Sequence, residues 1–235
     1  MIDQKLLKQY LEAYGIAQSD ETIETLDRFA ALLIERNRSV NLTAITAPEE
    51  VLVKHLLDSL LIFKYVSFES GASVIDVGCG AGFPSLPMLI ARRDLAVTFL
   101  DSTNKKLQFI RDCLEALQLS GTVFHARAEE AGKNVSRETY DYAVARAVAN
   151  LRSLSELTLP FVKVGGYFVA MKGKEGKAEL ESAKTAIKTL GGKTQAFYSF
   201  SLPDGSERTI ILIKKISQTP TKYPRTSTAI SKKPL

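Results

Sequence analysis

The stretch VIDVGCGAGFPSLPMLI, Val74 to Ile90, decides the fold. β-Branched residues surround a single acid, Asp76. Three glycines then fall at alternate positions, Gly78, Gly80 and Gly82, and an apolar run follows. This is the pattern of a strand, a tight turn and a helix. Glycines there permit positive φ and close backbone approach to a ligand. A phosphate loop would need Gly-Lys-Ser/Thr after the turn, and Gly82 is followed by Phe83 and Pro84. A dinucleotide turn wants GxGxxG, and Phe83 stands at its third glycine position, where bulk obstructs close helix packing.

Outward from this turn the chain alternates. Strands are expected at 73–77, 97–101, 122–126, 140–146 and 166–171, with helices at 84–92, 104–118, 150–163 and 177–190. Such alternation implies a mostly parallel sheet covered by helices on both faces. Near the end, two strand-like runs flank Pro203-Asp204-Gly205, a turn combination, so a hairpin makes the last strand antiparallel. Before the turn, apolar stripes at Leu7, Tyr10, Leu11 and Tyr14, then Ile23, Leu26, Phe29 and Leu33, predict amphipathic helices. A third helix opens at Pro48. The expected organisation is an N-terminal helical region (1–70), an α/β core (71–216) and a basic C-terminal tail (217–235), loosely held.

The net charge is +5, and it is uneven. From Arg208 onward there are seven basic residues and no acids, so the other 207 residues carry 24 basic and 26 acidic side chains, a net of −2. A cationic end suggests a polyanionic partner, most often nucleic acid, or a solvated tail that only aids solubility. Cys79 and Cys113 fit no metal or redox spacing. No apolar run is long enough to span a membrane, and the start lacks the features of a signal peptide. A reduced, cytoplasmic protein without a metal site is expected, with a monomer as the default.

The ligand that suits the turn is S-adenosyl-L-methionine, whose amino-acid end needs a backbone-lined turn and which has no phosphate to cradle. Asp76 ends the first strand, facing the ligand's ammonium or ordering water around it. Asp101, about 20 residues on, ends the second strand where an acid takes a ribose 2′-hydroxyl. NAD proteins share that acid, so Asp101 alone does not decide. Ala128 and Glu129 follow the third strand, at the expected adenine edge. Arg146 ends the fourth strand inside an apolar stretch, a costly place for an unpaired charge. It serves either RNA and the cofactor pocket or a buried ion pair. His55 and Asp58, three apart on a helix, share a face. They border the cleft or tie the helices to the sheet.

Several motifs carry a closer resemblance: NLTAIT (41–46), KHLLDSL (54–60), DVGCGAGFPSLP (76–87), LDSTNKKLQF (100–109), ARAEE (126–130), ARAVANL (145–151), MKGK (171–174) and the KYPR…KKPL end. In these the chain resembles the bacterial small-subunit ribosomal RNA methyltransferase G family, also called glucose-inhibited division protein B. The resemblance implies a Rossmann-like class I methyltransferase fold with a seven-stranded sheet and an N-terminal helical cap. It implies methyl transfer from S-adenosylmethionine, leaving S-adenosyl-L-homocysteine, to N7 of one guanosine in 16S rRNA, free or in the 30S subunit. It places cofactor contacts on Gly78, Phe83, Ala128, Glu129 and Arg146, with Asp101 and Ser102 at the ribose; Asp76 and Gly80 complete the expected set. Arg146 is the expected catalytic residue. Lys105, Lys106, Lys172 and Lys174 are the expected RNA contacts. One departure is Ser85, where the family usually has glycine; a local adjustment with retained binding is expected. A methyltransferase of a small molecule or protein, and a non-catalytic RNA-binding module, are the competing readings.

Overall fold

The computed structural model describes residues 1–235 except Val135 and Ala147. The chain opens with helices α1 (Gln4–Ala13) and α2 (Asp20–Asn37). Asp3 and Ser19 cap them through Leu6 N and Thr22 N, at 2.9 and 3.2 Å, relieving amide donors that a helix start leaves unpaired. The next helix begins as α3 (Pro48–Glu50), widens into a π-type segment (Val51–Leu57), and continues as α4 (Asp58–Leu60) and α5 (Ile62–Tyr65).

The alternation then appears as expected. The strands are β1 (Ser73–Val77), β2 (Ala96–Asp101), β3 (Thr122–His125), β4 (Tyr140–Arg146), β5 (Val162–Lys172), β6 (Gly192–Ser201) and β7 (Glu207–Lys215). Between them lie α6 (Ser85–Ala91), α7 (Asn104–Ala116), α8 (Ala128–Ala131), α9 (Leu151–Thr158) and α10 (Gly176–Thr189), and α11 (Ser227–Lys232) follows the last strand. The sheet order is β3-β2-β1-β4-β5-β7-β6, and only β7 runs antiparallel to its neighbours. The order reverses between β1 and β4. A crevice therefore opens at their carboxyl ends, the usual ligand position in such sheets.

One apolar layer packs α1, α2, α6 and α7 on the sheet through residues such as Leu11, Phe29, Val74, Val97 and Phe109. The other packs α9 and α10 through Leu154, Ile187 and Ile213. The N-terminal helices thus share a continuous core with the sheet. Three details differ from expectation. β5 starts at Val162, directly after a 3-10 turn (Leu159–Phe161) that ends the preceding helix early. The third loop holds a short helix, α8, whose four residues are too few for periodicity to signal. The expected loose tail is docked: Tyr223 and Ile230 are buried, and Arg225 makes a two-pronged pair with the fully buried Glu156, at 2.8 and 2.6 Å. Composition marked 217–235 as polar, but its few apolar residues and one arginine find partners on the second layer.

Candidate active site

The glycine turn leaves β1 and is laced to the end of β2. Gly78 N and Cys79 N donate to Leu100 O at 2.8 and 3.0 Å, and Gly80 N donates to Asp101 Oδ2 at 3.0 Å. Gly78, Gly80 and Gly82 adopt φ of 75°, 56° and 92°, a region that costs other residues strain. A side chain at Gly78 would strike Val148, whereas Gly80 faces open space. The turn forms the floor of a cavity of about 850 Å³. Phe83, Asp101, Ser102, Ala128, Glu129 and Arg146 all line it. Residues expected at the cofactor, taken from four separate loops, therefore converge on one hollow.

Asp76 lies beneath the turn and not on the cavity wall. It is fully buried, and Oδ2 accepts from Ser85 Oγ at 2.6 Å. The departure at Ser85 is thus accommodated by a hydrogen bond within the core. Oδ1 has no partner. Burial pushes the Asp76 carboxyl up to about 7, opposed by the two Ser85 donors and the Arg146 charge. The folded pKa lies above the unfolded value, so the stabilisation is complete at low pH and is lost as pH rises through 7. Asp76→Asn should therefore flatten the fall in melting temperature between about pH 4 and 7 relative to the parent protein. A parallel pH profile in the two proteins would show that Asp76 does not titrate there.

Arg146 stands at the end of β4 in a cluster built on the third helix. Its guanidinium donates to Lys54 O at 3.1 Å, Asp58 Oδ2 at 3.3 Å, Ser59 Oγ at 3.4 Å and His55 Nδ1 at 3.3 Å. It also lies over the Phe83 ring, 4.9 Å from the centroid, a cation–π contact. The π-type segment explains why Lys54 O is available. Asp58 N donates to Val53 O, one residue earlier than in an α-helix, so the Lys54 carbonyl can receive the arginine. Functional sites often carry such widened turns. Two groups face Nδ1 of His55: the Arg146 guanidinium, which only donates, and Lys54 O at 3.2 Å, which already accepts from Arg146. Nδ1 is therefore assigned as the acceptor, and Nε2 carries the proton toward Thr43 Oγ1, 2.9 Å away. Burial, then the Arg146 charge, holds the His55 pKa down at about 3, so the ring is neutral at physiological pH. It stacks on Phe83 with centroids 4.3 Å apart. Asp58 Oδ2 accepts a second arginine, Arg208 from β7, at 3.0 Å.

A second cavity, of about 530 Å³, lies beside the first. His55, Arg146, Val148, Ala149 and Asn150 line both. Burial pushes the Cys79 thiol well above its ordinary value, which keeps it a thiol and not a nucleophile.

Comparison with known proteins now decides the relationship. The family described as rRNA small subunit methyltransferase G matches residues 22–211. The chain belongs to this family. It is 47% identical over 228 residues to the ribosomal RNA small subunit methyltransferase G of Bacillus licheniformis, covering 96% of this chain and 95% of the relative. It is 44% identical to that of Alkaliphilus metalliredigens over the whole of both chains. Among solved structures, geranyl diphosphate C-methyltransferase from Streptomyces coelicolor, crystallised with S-adenosyl-L-homocysteine, aligns with 68% of this chain and 79% of its own at a TM-score of 0.53 and 12% identity. TrmN from Thermus thermophilus aligns with 70% of this chain and 53% of its own, at a TM-score of 0.53 and 17% identity. These likenesses establish the class I methyltransferase fold.

Not every expected RNA contact of this methyltransferase G family member stands free, although Lys172 does line the second cavity. Lys172, an expected RNA contact, is instead buried: its ammonium meets Glu179 at 2.8 Å and the Ala149 carbonyl. The strand-end position suggested exposure, but the turn into α10 folds Glu179 back over it. Lys105 and Lys174 are exposed, and Lys106 lines the first cavity. Thr43, Asn150, Ser153 and Leu157 also line it without having been expected. Thr43 lies in the NLTAIT motif, which was the available signal for it. Among the described residues, no helix is long and apolar enough to cross a membrane.

Proposed function

We propose that this protein transfers a methyl group from S-adenosylmethionine to N7 of a guanosine in 16S rRNA. The observation that carries the reading is the pair of adjoining cavities divided by Arg146, one floored by the glycine turn and the other open to a base. Family membership supplies the rRNA.

The residues of the first cavity fit the cofactor. A backbone-lined turn floors that cavity, with the unpartnered Asp76 oxygen buried beneath. Asp101 stands at the rim with further acceptor capacity. Gly78, Gly80 and Phe83 would serve the amino-acid side, with Asp76 beneath supporting the turn through Ser85; Asp101 and Ser102 would serve the ribose, and Ala128 and Glu129 the adenine. S-Adenosylmethionine, when bound, supplies an electrophilic methyl group on a sulfonium. N7 of guanine presents a lone pair and carries no proton, so no general base is required. That chemistry suits a site whose one histidine is held neutral by burial and accepts a hydrogen bond from Arg146 at Nδ1. The protein's contribution is alignment and electrostatics. Phe83, stacked on His55, fixes the wall between the cavities, and Arg146 orders it. Asp58 offsets the two guanidiniums near the base, where the attacked guanine gains positive charge.

RNA held outside the cavities meets Lys105, Lys106 and Lys174. Lys106→Ala should lower RNA affinity and reduce the salt slope by about 1. Lys172→Ala should leave the slope unchanged and lower the melting temperature, because its ammonium is spent on Glu179. Binding measured across a salt series checks both, and a reduced slope in Lys172→Ala would restore it as an RNA contact.

The function is tested by methyl transfer from labelled cofactor to undermodified 16S rRNA and to 30S subunits, with mapping of N7-methylguanosine. A single labelled guanosine is expected. Cofactor binding without transfer to either substrate would favour a small-molecule or protein acceptor.

A further inference from the structure

The residues after β7 do more than carry charge. Of the seven basic residues from Arg208 onward, Arg208, Lys215 and Arg225 are paired internally with Asp58, Glu138 and Glu156. The segment is anchored along its length. Thr219 N donates to Glu138 Oε1 at 2.7 Å, and Arg137 donates to Thr219 O and Tyr223 O at 2.6 and 2.8 Å. Beyond Arg225, helix α11 packs against α9, and Ile230 is only 4% exposed. Arg152 of α9 then grips the chain again through Pro234 O at 2.6 Å and the Leu235 carbonyl.

This path brings the segment to the first cavity. Ser227, Ile230, Ser231 and Pro234 line it together with Ala128 and Glu129 of the third loop. A fully buried carboxylate, Glu156, is committed to holding the segment in place through Arg225. Buried charges persist where they are paired and positioned, so the docking is built into α9. An apolar side chain facing a nucleoside pocket suits the face of a purine, which gains from burial against hydrocarbon.

We propose that the C-terminal segment forms a wall of the nucleoside half of the cofactor site, with Ile230 as an apolar contact for the adenine ring. The inference rests on the reading of the first cavity as the S-adenosylmethionine site. It makes Ile230 a cofactor-binding residue, whereas the segment's charge alone had suggested a nucleic-acid partner or a solvated tail.

The test is calorimetric titration of the full-length protein with S-adenosylhomocysteine and with 5′-methylthioadenosine, which keeps the nucleoside and lacks the amino-acid end. Binding to the parent protein is the control; its absence would remove the cofactor reading itself and the inference with it. Ile230→Ala should weaken both ligands by the same factor, roughly tenfold, as loss of one apolar contact predicts. Ile230→Val should stay near the parent value. Ser231→Trp, at an exposed position on the cavity rim, introduces bulk without disturbing the core and should weaken both ligands at least as much. Parent-like affinity for both ligands in Ile230→Ala and Ser231→Trp would overturn the proposal and leave the segment a packing element. So would a lower melting temperature with no change in binding.

Discussion

Arg146→Ala should yield a folded protein that binds S-adenosylhomocysteine and transfers almost no methyl group. The guanidinium joins four acceptors from the third helix and covers the Phe83 ring, so it fixes the partition between donor and acceptor cavities. Removing one such preorganised electrostatic element lowers kcat by roughly 100- to 1000-fold in well-studied sites. The fold should survive. Deleting one partner of a buried ion pair is severe when the other charge is left alone, at about 3–5 kcal/mol. Here Asp58 keeps Arg208 at 3.0 Å, so a loss of about 1–3 kcal/mol is expected, as for hydrogen-bond groups left short of a partner. Arg146→Lys should rescue little, because one ammonium lacks the planar fork that serves separated acceptors. Single-turnover methyl transfer beside a melting curve checks this. Full activity with a lowered melting temperature would make Arg146 a purely structural ion-pair residue.

Asp101→Ala should weaken S-adenosylhomocysteine binding by roughly a hundredfold, the equivalent of about 3 kcal/mol. Two effects combine. Asp101 Oδ2 holds Gly80 N at 3.0 Å and Oδ1 holds Thr103 N at 2.8 Å, so the carboxylate shapes the glycine turn and the start of α7 together. Its remaining lone pairs lie on the cavity wall, where ribose hydroxyls would donate to them. Charge-assisted hydrogen bonds of this kind contribute about 1.5–3 kcal/mol each. Asp101→Asn separates the effects: its oxygen can still receive Gly80 N, so the turn should survive while the charge is lost. An intermediate affinity is expected for it. Unchanged binding in Asp101→Ala, measured by calorimetry, would remove Asp101 from the cofactor site.

Much of this was legible in the residues because it rests on local patterns. Apolar alternation located the five parallel strands, and Pro203-Asp204-Gly205 located the hairpin. Spacing from the glycine turn located Asp101, and the motifs of the family carried Phe83, Ala128 and Glu129 to the same cavity. What could not be read depends on pairings that only the folded chain reveals, whether the partner is near or far in sequence. Lys172 looks solvent-facing until Glu179 folds over it. The tail looks loose until Glu156 on α9 captures Arg225. Asp76 looks like a ligand contact until Ser85, nine residues later, is seen to hold it inside the core. The π-type segment has no composition of its own; it shows only in Asp58 N reaching Val53 O. His55 and Asp58 admitted two readings: both join the helices to the sheet through Arg146, as the structural one has it, while of the two only His55 lines the first cavity and both line the second.

The sharing of one apolar core between the N-terminal helices and the sheet has a consequence for engineering. Methyltransferases of this fold invite modular redesign, in which a common catalytic body receives a new substrate-recognition appendage. Here the appendage cannot be exchanged on those terms. Leu11 and Phe29 would have to be replaced by equally fitting surfaces against Val97 and Phe109. Thr43, His55 and Asp58 would leave with the graft, taking the inner wall of both cavities. A chimera that keeps the glycine turn and Asp101 but imports foreign helices would inherit a nucleoside pocket and lose the frame that orients Arg146. New specificity is better sought at the rim of the second cavity, around Gly173, where the chain is exposed and the shared core is not disturbed.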